Sequence, residues 1–170
     1  MATATWIRDE LQGRGIAFEE REHPDAYTAQ QVAQREHVSG HRVAKVVGVM
    51  ADGRPVEVIL PASRRVRLDL VQKRLGCRDC RLATEAELER YFTDCEVGAI
   101  PALRHWQGME VVMDASLRTR GDIMLMGGTH RDAICMKFND WFNLVQPRVE
   151  AISEPAQAGP GHAEHRWWPW

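Results

Sequence analysis

Chemistry in this sequence could reside in a lysine set within β-branched residues, in two glycine-bearing turns, or in a pair of closely spaced cysteines. The lysine is Lys45, inside Val43-Ala-Lys-Val-Val-Gly-Val-Met50. Strand side chains alternate, so Val43, Lys45, Val47 and Val49 share one face. An ammonium ion among valines is costly unless a negative or hydrogen-bonding group meets it. The ordinary reading of a strand lysine is a stem that snorkels off an edge. The functional reading is a cation held at the mouth of a pocket for an anionic or carbonyl-bearing ligand. The turns are Gly98-Ala-Ile-Pro101 and Gly127-Gly-Thr-His130. Glycine lets backbone approach a ligand closely and aim N–H groups at developing negative charge. A lysine facing such a loop suits ester hydrolysis or plain anion binding, and spacing alone leaves both open.

The remaining candidates are weaker. Cys77-x-x-Cys80 is half a zinc site by spacing, but only Cys95 and scattered histidines could complete it. A thioredoxin-type pair expects a βαβ setting that this region lacks. No metal site is expected. The sequence contains no nucleophile elbow, P-loop lysine or dinucleotide fingerprint. Its histidines, among them His23, His37, His41, His105 and His130, lack metal-ligand spacing. Asp114, at a strand end, has an ordinary explanation as the partner of a neighbouring donor. From Arg64 to Arg81 the basic residues Arg64, Arg65, Arg67, Lys73, Arg74, Arg78 and Arg81 face only Asp69 and Asp79 within the same stretch. Such a run is usually a solvated face, yet in a chain of net charge −2 it is also where a phosphate backbone would dock.

The elements that must position these groups are legible in outline. Trp6, Ile7 and Leu11 mark a first helix capped by Thr3 or Thr5 and ended by Gly13 and Gly15. Residues 16–22 alternate as a strand, stopped at His23-Pro24. Thr28-x-x-Gln31 is a capping-box pattern opening a second helix to about His37. The Lys45 strand and Val56-Glu-Val-Ile-Leu60, joined by Ala51-Asp52-Gly53, read as a hairpin. Asp69 caps a short helix with Leu70, Val71 and Leu75. Thr84-x-x-Glu87 opens another through Leu88 to Phe92. Strands are expected over 109–114, 122–126 and 133–138, followed by a closing helix capped by Asn139 or Asp140. Residues 1–150 therefore read as one domain and 151–170 as a disordered Pro/Gly/Trp-rich tail ending in Trp167, Trp168 and Trp170. A chain of 170 residues with 44% hydrophobic content can bury its own core. Without a membrane-length apolar run or an N-terminal signal, a cytoplasmic protein is expected, with its cysteines as thiols.

Taken in order, His23-Pro24 with Thr28, the Val-Ala-Lys45-Val-Val strand, the Gly98-Ala-Ile-Pro101 loop, the strand ending at Asp114 with Ser116-Leu117, and the Gly127-Gly128 turn resemble the YbaK/ProX-type aminoacyl-tRNA deacylases. These are relatives of the editing domain of bacterial prolyl-tRNA synthetase. The resemblance covers about residues 5–147. It implies an α+β fold, with a curved mixed sheet forming a barrel-like core surrounded by helices. It also implies hydrolysis of the ester joining a wrong amino acid to the 3′ end of tRNA, with no cofactor; water is the expected nucleophile, since no Ser-His or Cys-His arrangement is evident. Lys45 then corresponds to the essential lysine, and Gly98 and Ala99 to the backbone that holds the oxyanion, with Pro101 fixing the loop. Thr28, Ile100, Pro101, Asp114, Gly127, Gly128 and His130 become expected substrate contacts. Arg64, Arg65, Arg67, Lys73 and Arg74 become expected tRNA contacts. The family's loop often carries two adjacent glycines; Ala99 in the second place resembles the branch acting on small hydroxylated amino acids. The expected partners are mischarged tRNA and an aminoacyl-tRNA synthetase, with no membrane, in a monomer or weak homodimer. A second reading is a non-catalytic aminoacyl- or nucleotide-binding module of the same fold.

Overall fold

The computed structural model describes residues 4–118 and 121–156. The expected tail tryptophans lie outside the described residues, as does Thr3. The architecture is mixed α/β, with five α-helices among the described residues around one large sheet. In chain order come α1 (Thr5–Gly13), β1 (Phe18–Glu22), α2 (Ala29–Arg35), β2 (Val43–Ala51) and β3 (Arg54–Pro61). Then follow β4 (Arg64–Val66), α3 (Leu68–Leu75), β5 (Cys80–Leu82), α4 (Glu85–Tyr91) and β6 (Glu110–Asp114). The chain closes with β7 (Asp122–Met126), β8 (Asp132–Lys137), α5 (Phe138–Val145), β9 (Arg148–Glu150) and β10 (Ser153–Pro155).

The large sheet runs β1-β8-β7-β2-β3-β6-β9, with β5 paired to the far end of β2. It is an open path with β1 and β9 as its ends, so the barrel-like core that the resemblance implies is a mixed sheet that does not close among the described residues. β2 and β3 pair antiparallel from Ala44↔Pro61 to Ala51↔Arg54, while β2 with β7 and β3 with β6 are parallel. These central strands read as near-continuous apolar runs because both faces are covered.

One face carries the main core. Ala44, Val46, Met50, Ile59, Val111, Met113, Ile123, Leu125 and Ile134 pack there with Ile7, Leu11, Leu88 and Trp141 from the helices. The other face carries two smaller clusters. Val43, Met124, Met126 and Ala133 meet Ala29, Val32 and Ala33 of α2. Val47, Val49, Val56, Val58, Leu60 and Val112 meet Val71 of α3.

Local signals explain most helix starts. Thr28 caps α2 by accepting from the Gln31 N–H, and Thr84 with Glu87 forms a complete capping box on α4. Three expected caps differ. Ala4, Arg67 and Lys137 occupy the N-cap positions of α1, α3 and α5, none with a side-chain cap, and Asp69 lies in the first turn of α3 instead. The domain boundary also moves. Ile152 is fully buried, and β10 pairs with β4 through Ser153↔Val66 to Pro155↔Arg64, so the folded body continues past Glu150.

Candidate functional site

Lys45 lies on β2 between Val43, which belongs to the α2 cluster, and Val47, which belongs to the α3 cluster. The cation therefore occupies the seam between two apolar patches on one sheet face. It is partly buried, and burial pushes its pKa from the ordinary 10.5 down to about 8. A lowering of that size corresponds to roughly 3 kcal/mol against the charged form. The amine is nevertheless about nine-tenths protonated near pH 7. Such a group gains when a ligand brings it a negative charge.

The glycine loop reaches the same face. Ala99 is fully buried and packs in the cluster that contains Val43, Met124 and Met126. Its neighbour Ile100 turns the opposite way into the main core, so its side chain is a core residue. The loop thus threads past the sheet, with one residue anchored on each side. Two further bonds hold its far end: His105 Nε2–H donates to the Pro101 carbonyl at 3.0 Å, and Trp141 Nε1–H donates to the Ala102 carbonyl at 2.7 Å.

Gly98 has φ +92°, a conformation that favours glycine. The Ala99 N–H donates to the Glu96 carbonyl at 2.9 Å within the turn. In this fold the N–H of Ala99, expected to hold the oxyanion, is therefore engaged within the turn. Among the described residues no hydrogen bond is formed by the N–H of Gly98 or Ile100.

The second glycine turn is stitched to the first. Glu96 N–H donates to the Gly128 carbonyl at 2.8 Å, and Gly128 N–H donates to the Ala99 carbonyl at 3.1 Å. The Glu96 carboxylate accepts from the His130 N–H at 2.8 Å and lies 3.8 Å from His130 Nε2. Gly127 is required by close packing: a Cβ there would lie 2.9 Å from the Asp132 carbonyl oxygen. Gly128 has φ +96°. His130 in turn rests against Tyr27, ring centroids 4.9 Å apart. Glu96 thus joins Gly128 to His130, Gly128 is bonded to Ala99, and Ala99 shares a cluster with Val43, the neighbour of Lys45 on its face.

Other expected contacts have structural work. The Thr28 hydroxyl caps α2. Asp114 is buried; burial raises its pKa, but bonds from Ser116, Ile152 and Ser153 outweigh that and hold the carboxylate below its ordinary range. Its oxygens accept from the Ser116 N–H at 3.0 Å and the Ile152 N–H at 2.9 Å.

In the arginine-rich stretch the opposing charges extend beyond Asp69 and Asp79 to Glu87, Glu150 and Glu154. Arg65 and Arg67 both pair with Glu154, Arg67 also with Asp69, Arg74 with Glu150, and Arg81 with Glu87. Arg64 donates to the Ser153 hydroxyl at 2.6 Å and approaches Asp114 at 3.9 Å. Lys73 is exposed on α3. Cys77, Cys80, Cys95 and Cys135 are free thiols, and burial pushes Cys80 up to about 11 and Cys95 up to about 12. Thiols so raised are poor nucleophiles. Among the described residues no group of His, Cys, Asp and Glu could hold a metal ion.

Sequence reasoning missed Glu96, Tyr27 and Glu57. Glu96 was visible only as a loop acid, and nothing local announces its bonds to residues 128 and 130. Glu57 was visible within Val56-Glu-Val-Ile-Leu60, where a strand covered on both faces must bury it.

No curated protein matches the chain. Among solved structures, a proposed trans-editing enzyme for prolyl-tRNA synthetase superposes with a TM-score of 0.78 at 20% identity, covering 89% of this chain and 96% of the other. A hypothetical protein superposes equally, TM-score 0.78 at 20% identity, with 87% and 99% covered. A proposed signal transduction protein from Marinobacter aquaeolei gives 0.67 at 17% identity, where 87% of this chain spans 30% of that one. These likenesses establish a shared fold. The model of the aminoacyl-tRNA editing domain matches residues 23–144, a span from His23 through most of α5 that takes in Lys45 and both glycine turns. On that match, the chain belongs to the aminoacyl-tRNA editing domain family.

Proposed function

We propose that the protein is a free-standing editing hydrolase that cleaves the 3′ aminoacyl ester of mischarged tRNA, acting on a small amino acid. The observation that carries this reading is the partly buried Lys45 on the sheet face that also receives Ala99 of the glycine loop. The ester carries the terminal adenosine, its phosphate and a carbonyl that becomes an oxyanion on attack. The Lys45 ammonium neutralises the phosphate or the developing oxyanion. The N–H groups of Gly98 and Ile100 are the backbone donors suited to the oxyanion in place of Ala99, since neither makes a hydrogen bond among the described residues. Water is the nucleophile, and the raised cysteines offer no rival.

The small-amino-acid preference is supported by the Gly98-Ala-Ile-Pro101 form of the loop and by the alanines and methionines that fill the cluster beside it. The likeness to a proposed trans-editing enzyme supports action on tRNA charged by a synthetase, and hence work in the cytoplasm. No helix among the described residues is long and apolar enough to cross a membrane. The engaged Ala99 N–H favours the second reading, a binding module without turnover. A deacylation panel of mischarged tRNAs with wild type and Lys45→Ala decides. Turnover by wild type that is lost in the variant is expected. Equal rates would remove Lys45 from the mechanism, and no hydrolysis of any substrate would leave the binding module.

A further inference from the structure

We propose that Tyr27 is a stacking platform for a base of the single-stranded 3′ end of tRNA, and that nucleic acid enters on the α2 side of the molecule. This inference rests on the editing reading for the identity of its ligand.

Tyr27 is the large hydrophobic residue left exposed among the described residues, at 56%. Most aromatic rings here are packed: Phe92, Phe138 and Trp141 are buried in the main core. Chance mobility does not account for Tyr27, because its backbone is fixed on both sides. Tyr27 N–H donates to Gln31 Oε1 at 2.7 Å, and Gln31 N–H donates to Thr28 Oγ1 at 3.1 Å, a reciprocal cap at the start of α2. The preceding Ala26 N–H donates to the His130 carbonyl at 2.9 Å. The backbone that carries the ring is thus held in place while more than half of the residue faces solvent.

Its surroundings suit a nucleotide. One neighbour is the His130 ring, tilted by 47° at 4.9 Å, which connects the platform to the Glu96 carboxylate and the two glycine turns. Tyr27 also lines a depression of about 460 Å³ together with Asp25, Gln31, Gln34 and Arg35. Amide side chains and a guanidinium beside an exposed ring supply base-edge and phosphate contacts around a stacking surface. The arginine-rich stretch, by contrast, already has acidic partners. An aromatic platform recognises any base by its π-face, which fits a 3′ end common to every tRNA.

The test measures binding of the trinucleotide cytidylyl-cytidylyl-adenosine to the full chain, and deacylation kinetics on the mischarged tRNA the panel identifies. Wild type, Tyr27→Phe, Tyr27→Ala and Lys45→Ala are compared. Tyr27→Ala is expected to weaken trinucleotide binding about 5- to 150-fold and to raise KM in proportion, with kcat far less affected. Tyr27→Phe, which keeps the ring, is expected to restore both. Lys45→Ala is expected to keep the ring-dependent share of binding. Unchanged affinity in Tyr27→Ala, or equal losses in the Phe and Ala variants, would overturn the platform. If wild type hydrolyses no mischarged tRNA yet the trinucleotide binds through the ring, the editing reading falls and the platform stands. If wild type hydrolyses its substrate and Tyr27→Ala does so with unchanged KM, editing stands and the platform falls.

Discussion

Lys45 and Glu57 sit on adjacent strands of one hairpin, both in apolar surroundings, and burial treats them differently. Lys45 occupies the seam between two small clusters and stays partly exposed. Glu57 lies opposite Gly48 on β3, points into the main core face, and is fully buried. Among the described residues neither Glu57 oxygen has a hydrogen-bond partner. Burial pushes the Glu57 pKa well above the ordinary carboxyl value, only partly opposed by Arg104. His105 Nε2 is 3.9 Å away, and burial lowers its own pKa, so that ring favours neutrality. The hairpin therefore carries one partly exposed cation and one acid that the core drives toward its neutral form.

The largest test of this contrast is activity. Lys45→Ala should lower deacylation by about 10²-fold or more, in line with loss of one oxyanion-stabilising donor, whereas Glu57→Gln should leave the rate within about threefold. Comparable losses in both variants would erase the functional distinction between the two positions.

The next test is pH. A catalytic ammonium with a pKa of about 8 makes kcat/KM fall about tenfold per unit as pH rises beyond that value, after subtraction of uncatalysed ester hydrolysis. A rise through pH 8 would instead assign Lys45 the role of a base.

Stability should separate them in a smaller way. The Glu57 carboxyl binds its proton more tightly folded than unfolded, so its stabilising contribution is complete below the unfolded pKa near 4.5 and diminishes as pH rises above it. His105 contributes with the opposite sign, since its lowered pKa makes stability fall as pH drops below 6.5. Denaturant unfolding at pH 5 and pH 7 should show Glu57→Gln gaining on wild type at the higher pH, by about 1–3 kcal/mol. A gap that does not change with pH would mean Glu57 is ionised in the fold. Lys45→Met, which keeps the stem and removes the charge, should also raise stability at pH 7 while abolishing activity.

The smallest effect concerns the arginines. With Glu154 already paired to Arg65 and Arg67, the double reversal Arg65→Glu/Arg67→Glu should cost about 1 kcal/mol of stability or less. It should also change the salt dependence of tRNA affinity by less than one unit of slope. A larger flattening would return the acceptor-stem contact to this segment and weaken the case for entry beside Tyr27.

Local signals were legible in the sequence and distant pairings were not. Alternation along residues 43–50 placed Lys45 among inward valines, and the patterns at Thr28 and Thr84 marked two helices; the Thr84 box is complete, while at α2 Thr28 caps and the Gln31 side chain accepts from the Tyr27 N–H instead. Such signals span a few residues, so one chain displays them. The strand pairing Arg64–Val66 with Ser153–Pro155 was invisible, since neither three-residue segment shows periodicity and they lie 89 residues apart at Arg65 and Glu154. The same distance concealed the neutralisation of the arginines. A sequence shows that the Ala99 N–H exists but not where it points, so its bond to the Glu96 carbonyl was hidden too.

By itself, the sequence determined the order of the helices and the longer strands, the lysine's place on an inward strand face and the two glycine turns, because periodicity, capping and backbone freedom act over a few residues. Tertiary structure alone decided that Glu96 joins the two turns, that Glu57 is sealed while Lys45 is only partly buried, and that Tyr27 stands exposed beside His130. Each of those facts depends on which distant segments become neighbours, and that follows from packing the whole sheet with its helices.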